Sequence, residues 1–321
     1  MVYSNTNCNC KNMTKVDASA ADYIVPLEIN GLTGRMLHVP TESKDKTEIL
    51  FVYGQHSSLE RWWGLIQYLH HYGAVTVPDL PGFGGMDSFY KIGQKPTIDN
   101  LADYLASFMK MRYRRKKVVI LGLSFGFVIA TRMLQLYPEL TNNVELLVSI
   151  VGFTHADDFR FTKRRYWFYR ILTRTVAQRL PSAFFRYVCL NSFVLRTFYR
   201  RTYLAKSKFE NTKTAEDYDL QMAVEIWLWQ HNDVRTHAFT TAEFLALDNC
   251  QKQINLPVWH VIADADQYFD HHRVEQHLRV VFSDVHVAKS KFANHAPSVV
   301  ANENEVSGLV PPELRQVLRH L

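Results

Sequence analysis

Hydrophobic positions along the chain follow two alternating patterns. Short apolar runs at Glu48–Tyr53, Ala74–Val77, Lys117–Leu121 and Val144–Val151 predict buried strands, because they are too brief for helices. Between them the spacing becomes helical. Leu59–Tyr72 places Trp62, Leu65, Ile66 and Leu69 on one face, and Asp99–Met111 does the same with Leu101, Tyr104, Leu105 and Phe108. Phe125–Tyr137 reads as a third helix, followed by Pro138. Upstream, Tyr23–Ile29 and Arg35–Val39 predict a hairpin turning at Asn30–Gly34, where glycines supply the left-handed positions a tight turn needs.

After Phe153 the alternation stops. Lys163–Leu247 predicts helix throughout, with Pro181 separating the first two helices. Thr214 with Asp217 resembles a capping box opening another helix, through Trp227 and Trp229. The rhythm then resumes with a strand at Val258–Ala263, a helix at His271–Phe282, a strand at Val285–Ala288 and a last helix at Pro311–Leu321. There is no internal repeat. Strands alternating with helices imply a mostly parallel, doubly wound α/β sheet, and an all-helical insertion after one strand would sit over its carboxyl edge, where such sheets bind ligands.

Composition narrows the class. With 321 residues, 47% hydrophobic and 21% charged, the chain is globular and long enough for a large core. No apolar run approaches the ~18 residues of a membrane span. Residues 1–20 read as a mobile polar tail, and Met1–Lys15 lacks the apolar stretch of a secretory signal. The cysteines, Cys8, Cys10, Cys189 and Cys250, make no disulfide framework, and the first two alone make no metal site. Together these features predict a cytoplasmic protein.

Charge adds an asymmetry to the net +6. Between Arg160 and Lys208 there are 13 Lys/Arg and no Asp/Glu, so the rest of the chain carries 24 basic residues against 31 acidic ones. The basic segment is also aromatic, with Trp167, Phe168, Phe184, Phe193 and Tyr203 among its residues. It reads as a small helical layer with a solvated arginine face, as a surface that touches anionic membrane from the inner side, or as a field that steers an anionic substrate. Nucleic acid is not expected as a partner, because a closed pocket below the insertion suits a small molecule.

The strongest local signal for chemistry is Gly122-Leu123-Ser124-Phe125-Gly126, between a strand and a helix. A serine there sits on a sharp turn with its hydroxyl exposed, and the crowding of the turn calls for glycine two residues either side. Serine needs a base, and the base needs an acid to orient it. His295 follows the final strand and Asp266 the preceding one, so both would meet Ser124 at the carboxyl edge of the sheet. Asp264 is the rival acid, with Asp157 and Asp158 as a second alternative position. His286 lies within a strand, while His271 and His272 read as solvated residues at a helix start.

These residues, with Gly54-Gln55 after the third strand and Asp79-Leu80-Pro81-Gly82-Phe83-Gly84 after the fourth, make the chain resemble the α/β-hydrolase superfamily with an inserted helical cap. The resemblance covers about residues 23–155 and 254–321. It implies a core domain at 21–154 and 251–321 and a cap at 155–250. It also implies a Ser124–His295–Asp266 triad, with the backbone N–H groups of Phe125 and Gln55 as oxyanion hole. Tyr53 stands where a histidine is common in the family, which puts the side-chain support of that hole in question. Gly54, His56 and Trp227 are candidates for the substrate pocket, and Met222, Trp229 and Phe244 lie on cap helices that could line it. A serine nucleophile argues against haloalkane dehalogenase and epoxide hydrolase chemistry, which use aspartate on this fold. The expectation is hydrolysis of a carboxylic ester, thioester or lactone of a small apolar or lipid-like substrate, without metal or organic cofactor. Alternatives are acyl transfer or carbon–carbon hydrolysis by the same triad, or a non-catalytic binding protein on the same fold.

Overall fold

The computed structural model describes residues 19–41, 47–201, 214–292, 295, 297 and 301–321. Residues 1–18 of the predicted tail, with Cys8 and Cys10, lie outside the described residues, as does the end of the basic segment from residue 202, whereas the tail's last residue, Ala20, is buried and opens a short 3-10 helix, Ala20–Tyr23. Eight strands form one sheet: β1 (Ile24–Ile29), β2 (Leu32–Val39), β3 (Thr47–Val52), β4 (Gly73–Pro78), β5 (Val118–Leu123), β6 (Val144–Ile150), β7 (Ile254–Ile262) and β8 (Phe282–Lys289). Their order is β1-β2-β4-β3-β5-β6-β7-β8, and β2 alone runs against the others.

Position in the sheet explains the composition of each strand. Central β4 and β5 are buried along their whole length, so they read as unbroken apolar runs. Edge β8 buries only Phe282, Val285 and Ala288, and edge β1 tolerates Pro26 because one side of it donates to no neighbour. The β1–β2 turn is shorter than the spacing predicts: Asn30 and Gly31, with φ of 52° and 77°, make it alone, and Leu32–Gly34 belong to β2.

Helices α1 (Trp63–His70), α2 (Ile98–Arg112) and α3 (Phe125–Leu136) cover the sheet between its strands. The inserted block follows β6 and comprises α4 (Lys163–Val176), α5 (Arg179–Phe184), α6 (Ser192–Arg201), α7 (Ala215–His231) and α8 (Val234–Phe244). After β7 come α9 (His271–Val281), then α10 (Glu303–Val306) and α11 (Pro312–Arg319) beyond β8. Pro181 does not separate α4 from α5. The break falls at Ala177–Gln178, and Pro181 lies in the first turn of α5, where a missing N–H costs no helical hydrogen bond. Thr214 does cap α7, accepting from the Asp217 N–H.

The core surrounds the sheet, and a smaller apolar cluster of Leu190, Leu195, Tyr199, Met222, Ile226 and Val234 holds the inserted helices together. Met222 therefore belongs to the interior of the insertion. Among the described residues no helix is long and apolar enough to cross a membrane.

Candidate active site

Ser124 joins β5 to α3 with φ 50° and ψ −115°, a conformation that side-chain-bearing residues rarely hold. The glycines around it are required by contact. A Cβ on Gly126 would lie 2.1 Å from the Val52 carbonyl oxygen, and one on Gly122 would lie 2.5 Å from the Phe127 Cα. Ser124 occupies the N-cap of α3, yet its hydroxyl makes no capping bond. The strained backbone turns Oγ away from the helix and leaves it available. Strain recurs along this edge. Among the described residues, four non-glycine residues have positive φ, and three of them (His56, Ser124 and Val151) follow the carboxyl ends of β3, β5 and β6.

The Ser124 Oγ lies 3.0 Å from His295 Nε2, and His295 Nδ1 lies 2.7 Å from Asp266 Oδ2. Asp266 is buried, and its other oxygen accepts from the Tyr268 and Phe269 N–H groups at 2.8 and 3.3 Å. Burial pushes the Asp266 carboxyl up, but the hydrogen bond and charge of His295 and the two N–H donors outweigh it and hold the pKa below the ordinary carboxylate value. The rings of Tyr268 and Phe269 pack on His295 with centroids 5.1 and 5.3 Å away. Asn294 and Ala296, which flank the histidine, lie outside the described residues.

The rival positions go elsewhere. Asp264 is exposed and pairs with Lys289 at 3.2 Å. Asp158 is buried but holds His277 Nδ1 at 2.6 Å and the N–H groups of Thr154 and His155, while Asp157 is exposed. His286 pairs with Asp284 on the outside of β8. His272 is exposed as expected, but His271 is half-buried with Nε2 against the Ala263 carbonyl oxygen, so it is not simply solvated.

Gly54 rests against the elbow, where a Cβ would meet Leu123 Cδ2 at 3.0 Å and Ser124 Cβ at 3.4 Å. Among the described residues, neither the Gln55 N–H nor the Phe125 N–H is used by a backbone carbonyl. Tyr53 resolves how the Gln55 loop is held without a histidine. Its hydroxyl donates to Asp79 Oδ1 at 2.7 Å and accepts from the Leu80 N–H at 2.9 Å, tying the loop after β3 to the loop after β4. Asp79 also accepts from Arg35 Nε and the Gly85 N–H. Burial pushes the Asp79 carboxyl up to about 6 against those donors, all of which favour its ionised form.

Side chains from the insertion complete the surroundings. Gln55 Nε2 donates to the His237 carbonyl oxygen and to Thr240 and Thr241 on α8. The His56 ring lies 4.1 Å from that of Trp229, with Nε2 3.7 Å from the buried Glu225. Trp227, the sequence candidate, does not belong here. It is stacked on His231 of its own helix, 4.2 Å away, and two residues along α7 swing it about 200° from Trp229. Phe244 packs on Phe125 at 5.7 Å and on Phe153 at 5.8 Å, making an aromatic wall beside the elbow. Arg61, Glu225 and Tyr268 escaped sequence reasoning. Arg61 donates to the His56 carbonyl oxygen, Glu225 lies by the His56 ring and Tyr268 packs on His295, but each residue comes from a different element with no local motif to mark it.

A serine on a strand–turn–helix elbow, in a mostly parallel sheet with helices inserted after β6, has the architecture of the α/β hydrolases. Residues 48–289 match the family described as alpha/beta hydrolase fold, and the chain belongs to that family. No curated protein sequence matches the chain. The fold is shared with a thermophilic esterase from Thermogutta terrifontis at 17% identity and TM-score 0.61, covering 92% of this chain and 98% of that one. It is shared with the enol-lactonase from Burkholderia xenovorans LB400 at 12% identity and TM-score 0.64, covering 92% and 100%. It is also shared with a bacterial membrane phospholipase A at 14% identity and TM-score 0.64, covering 93% and 87%.

Proposed function

We propose that the protein is a serine hydrolase that cleaves a carboxylic ester, thioester or lactone of an apolar or lipid-like substrate. The observation that carries this is the continuous chain from Ser124 Oγ through His295 to Asp266, at 3.0 and 2.7 Å. Ser124 Oγ attacks the carbonyl carbon and passes its proton to His295 Nε2. Asp266, ionised and buried, holds the Nδ1–H and stabilises the imidazolium. The Phe125 and Gln55 N–H groups receive the oxyanion, each contributing about a hundredfold or more, because they favour charge that exists only in the transition state. The leaving alcohol takes the proton from His295. Water then repeats the sequence on the acyl-enzyme, with His295 again accepting and returning the proton, and releases the acid.

The phenylalanines at the elbow support an apolar acyl group, and the structural neighbours named for esterase, lactonase and phospholipase activities support ester chemistry. Labelling with a fluorophosphonate probe tests the proposal. The wild type is expected to label, Ser124→Ala to give no signal, and His295→Ala and Asp266→Asn to label at rates lower by about 10³-fold or more. Undiminished labelling of Ser124→Ala, or none of the folded wild type, would overturn it.

A further inference from the structure

The outer surface of α4 to α6 has a composition that water alone does not explain. Among the described residues, 11 large hydrophobic side chains between Trp167 and Phe198 are exposed, against eight in all the rest of the protein. Leu180 is 82% exposed and Phe193 79%. Soluble surfaces scatter such side chains singly, and a concentration of this kind marks a contact surface. Helix periodicity shows that they form faces. On α4, Tyr166, Tyr169 and Thr173 turn inward, while Trp167, Phe168, Ile171 and Leu172 turn outward. On α6, Leu195 and Tyr199 turn inward, while Phe193 and Phe198 turn outward.

Arginines share the same outward faces. Arg164 lies on α4 and Arg196, Arg200 and Arg201 on α6, all exposed. Arg160 to Arg201 contains 11 Lys/Arg and no Asp/Glu. Among the described residues none of these 11 forms an ion pair, although Arg35, Arg132 and Arg279 elsewhere do.

We infer that this face of α4 to α6 docks on an anionic lipid bilayer, with the aromatic and aliphatic side chains entering the headgroup layer and the arginines meeting lipid phosphates and carboxylates. Charge selects this occupant. A second copy related by two-fold symmetry would set one unneutralised cationic face against another. Nucleic acid would satisfy the arginines but offers nothing to exposed Ile171, Leu172 and Leu180. Anionic lipid satisfies both, since helices with basic and large apolar residues on one surface bind in the interface plane. The inner face of the same α4 looks toward the site, since the Tyr169 ring packs on Phe161 at 5.4 Å, Phe161 on Phe159 at 5.0 Å, Phe159 on Phe269 at 4.8 Å and Phe269 on His295 at 5.3 Å. Docking would therefore set the triad directly behind the membrane-bound helices. That last step, access to a lipid ester, rests on the proposed function, whereas the docking itself does not.

Vesicle flotation separates the two. Using Ser124→Ala full-length protein, vesicles of phosphatidylcholine with phosphatidylserine are expected to carry the protein upward at low salt. Vesicles of phosphatidylcholine alone are expected to bind at least tenfold less. Raising the salt should weaken the first. The combined variant Arg164→Glu, Arg196→Glu, Arg200→Glu, Arg201→Glu should lose binding by a hundredfold or more, at roughly fivefold per basic residue. Trp167→Ser with Phe193→Ser tests the apolar half and should also weaken binding, and circular dichroism checks that each variant is folded. Absence of flotation with the anionic vesicles, or equal binding by the folded arginine variant, would overturn the inference. Dimerisation in light scattering without flotation would assign the face to a second copy instead, and retention on DNA without flotation to nucleic acid. Because Ser124→Ala has no nucleophile, none of these outcomes depends on catalysis.

Discussion

At His260 burial decides the charge state. The residue lies on β7, fully enclosed, with Nδ1 2.9 Å from Ser149 Oγ. Burial, aided by nearby His271, pushes its pKa down to about 3 against the opposing pull of Asp266. An unfolded histidine titrates near 6.5, so between about 6.5 and 3 the unfolded chain binds the proton that the folded one refuses. Stability therefore falls with falling pH, by about 1.4 kcal/mol per unit well inside that window. His260→Gln is expected to flatten this slope in urea titrations across the window. A slope as steep as that of the wild type would place the acid sensitivity on another group. Asp266 acts lower on the scale. Its folded pKa is depressed, so its contribution is complete above about 4 and is lost as the pH falls through the folded value.

The elements around the site depend on close backbone approach. β5 and α3 meet β3 so tightly that position 126 has no room for a methyl group, because the Val52 and Tyr53 carbonyl oxygens already occupy its place. Gly126→Ala is expected to lower the unfolding free energy by ~3 kcal/mol or more and to reduce fluorophosphonate labelling through a displaced Ser124. Gly93→Ala is the contrast. Gly93 has φ 74° but nothing within 4 Å, so only backbone strain of ~1 kcal/mol is expected. A loss at position 126 no larger than that at position 93 would mean that the elbow can shift to admit a methyl group.

Across the whole molecule, the insertion and the sheet meet through hydrogen bonds at the site itself. Besides Gln55 with α8, the Asp233 N–H donates to the Gly82 carbonyl oxygen, the Gly84 N–H donates to Asn232, and Ser88 meets Thr236. The loops that follow β3 and β4 are thus clamped from both sides. Gln55→Ala keeps the backbone donor but removes the contacts to α8. It is expected to reduce kcat/KM on a short activated ester about tenfold and stability by about 1–3 kcal/mol. Unchanged kinetics with lowered stability would make the contact purely structural.

Much of this protein is written locally. Apolar periodicity marks all eight strands to within a few residues, because the central strands are buried on both faces and helices need one apolar side. The elbow is legible for the same reason, since its glycines are demanded by contacts only a few residues away in chain or one strand across. The order Ser124, Asp266, His295 is the one the resemblance to α/β hydrolases implies, and each of the three follows a strand at the carboxyl edge of the sheet. The basic, acid-free insertion is also plain in the sequence. Tertiary structure decided what distance along the chain conceals. It assigned Asp266 to His295 and Asp264 to Lys289, although the two acids are neighbours in sequence. It turned Trp229 rather than Trp227 toward His56, because the phase of α7 is set by its packing and not by its composition. It set Arg61 and Glu225 against His56 and Tyr268 against His295, each from a separate element. It also spread the arginines and aromatics of the insertion over one outward surface, since only packing determines which side of a helix faces the solvent.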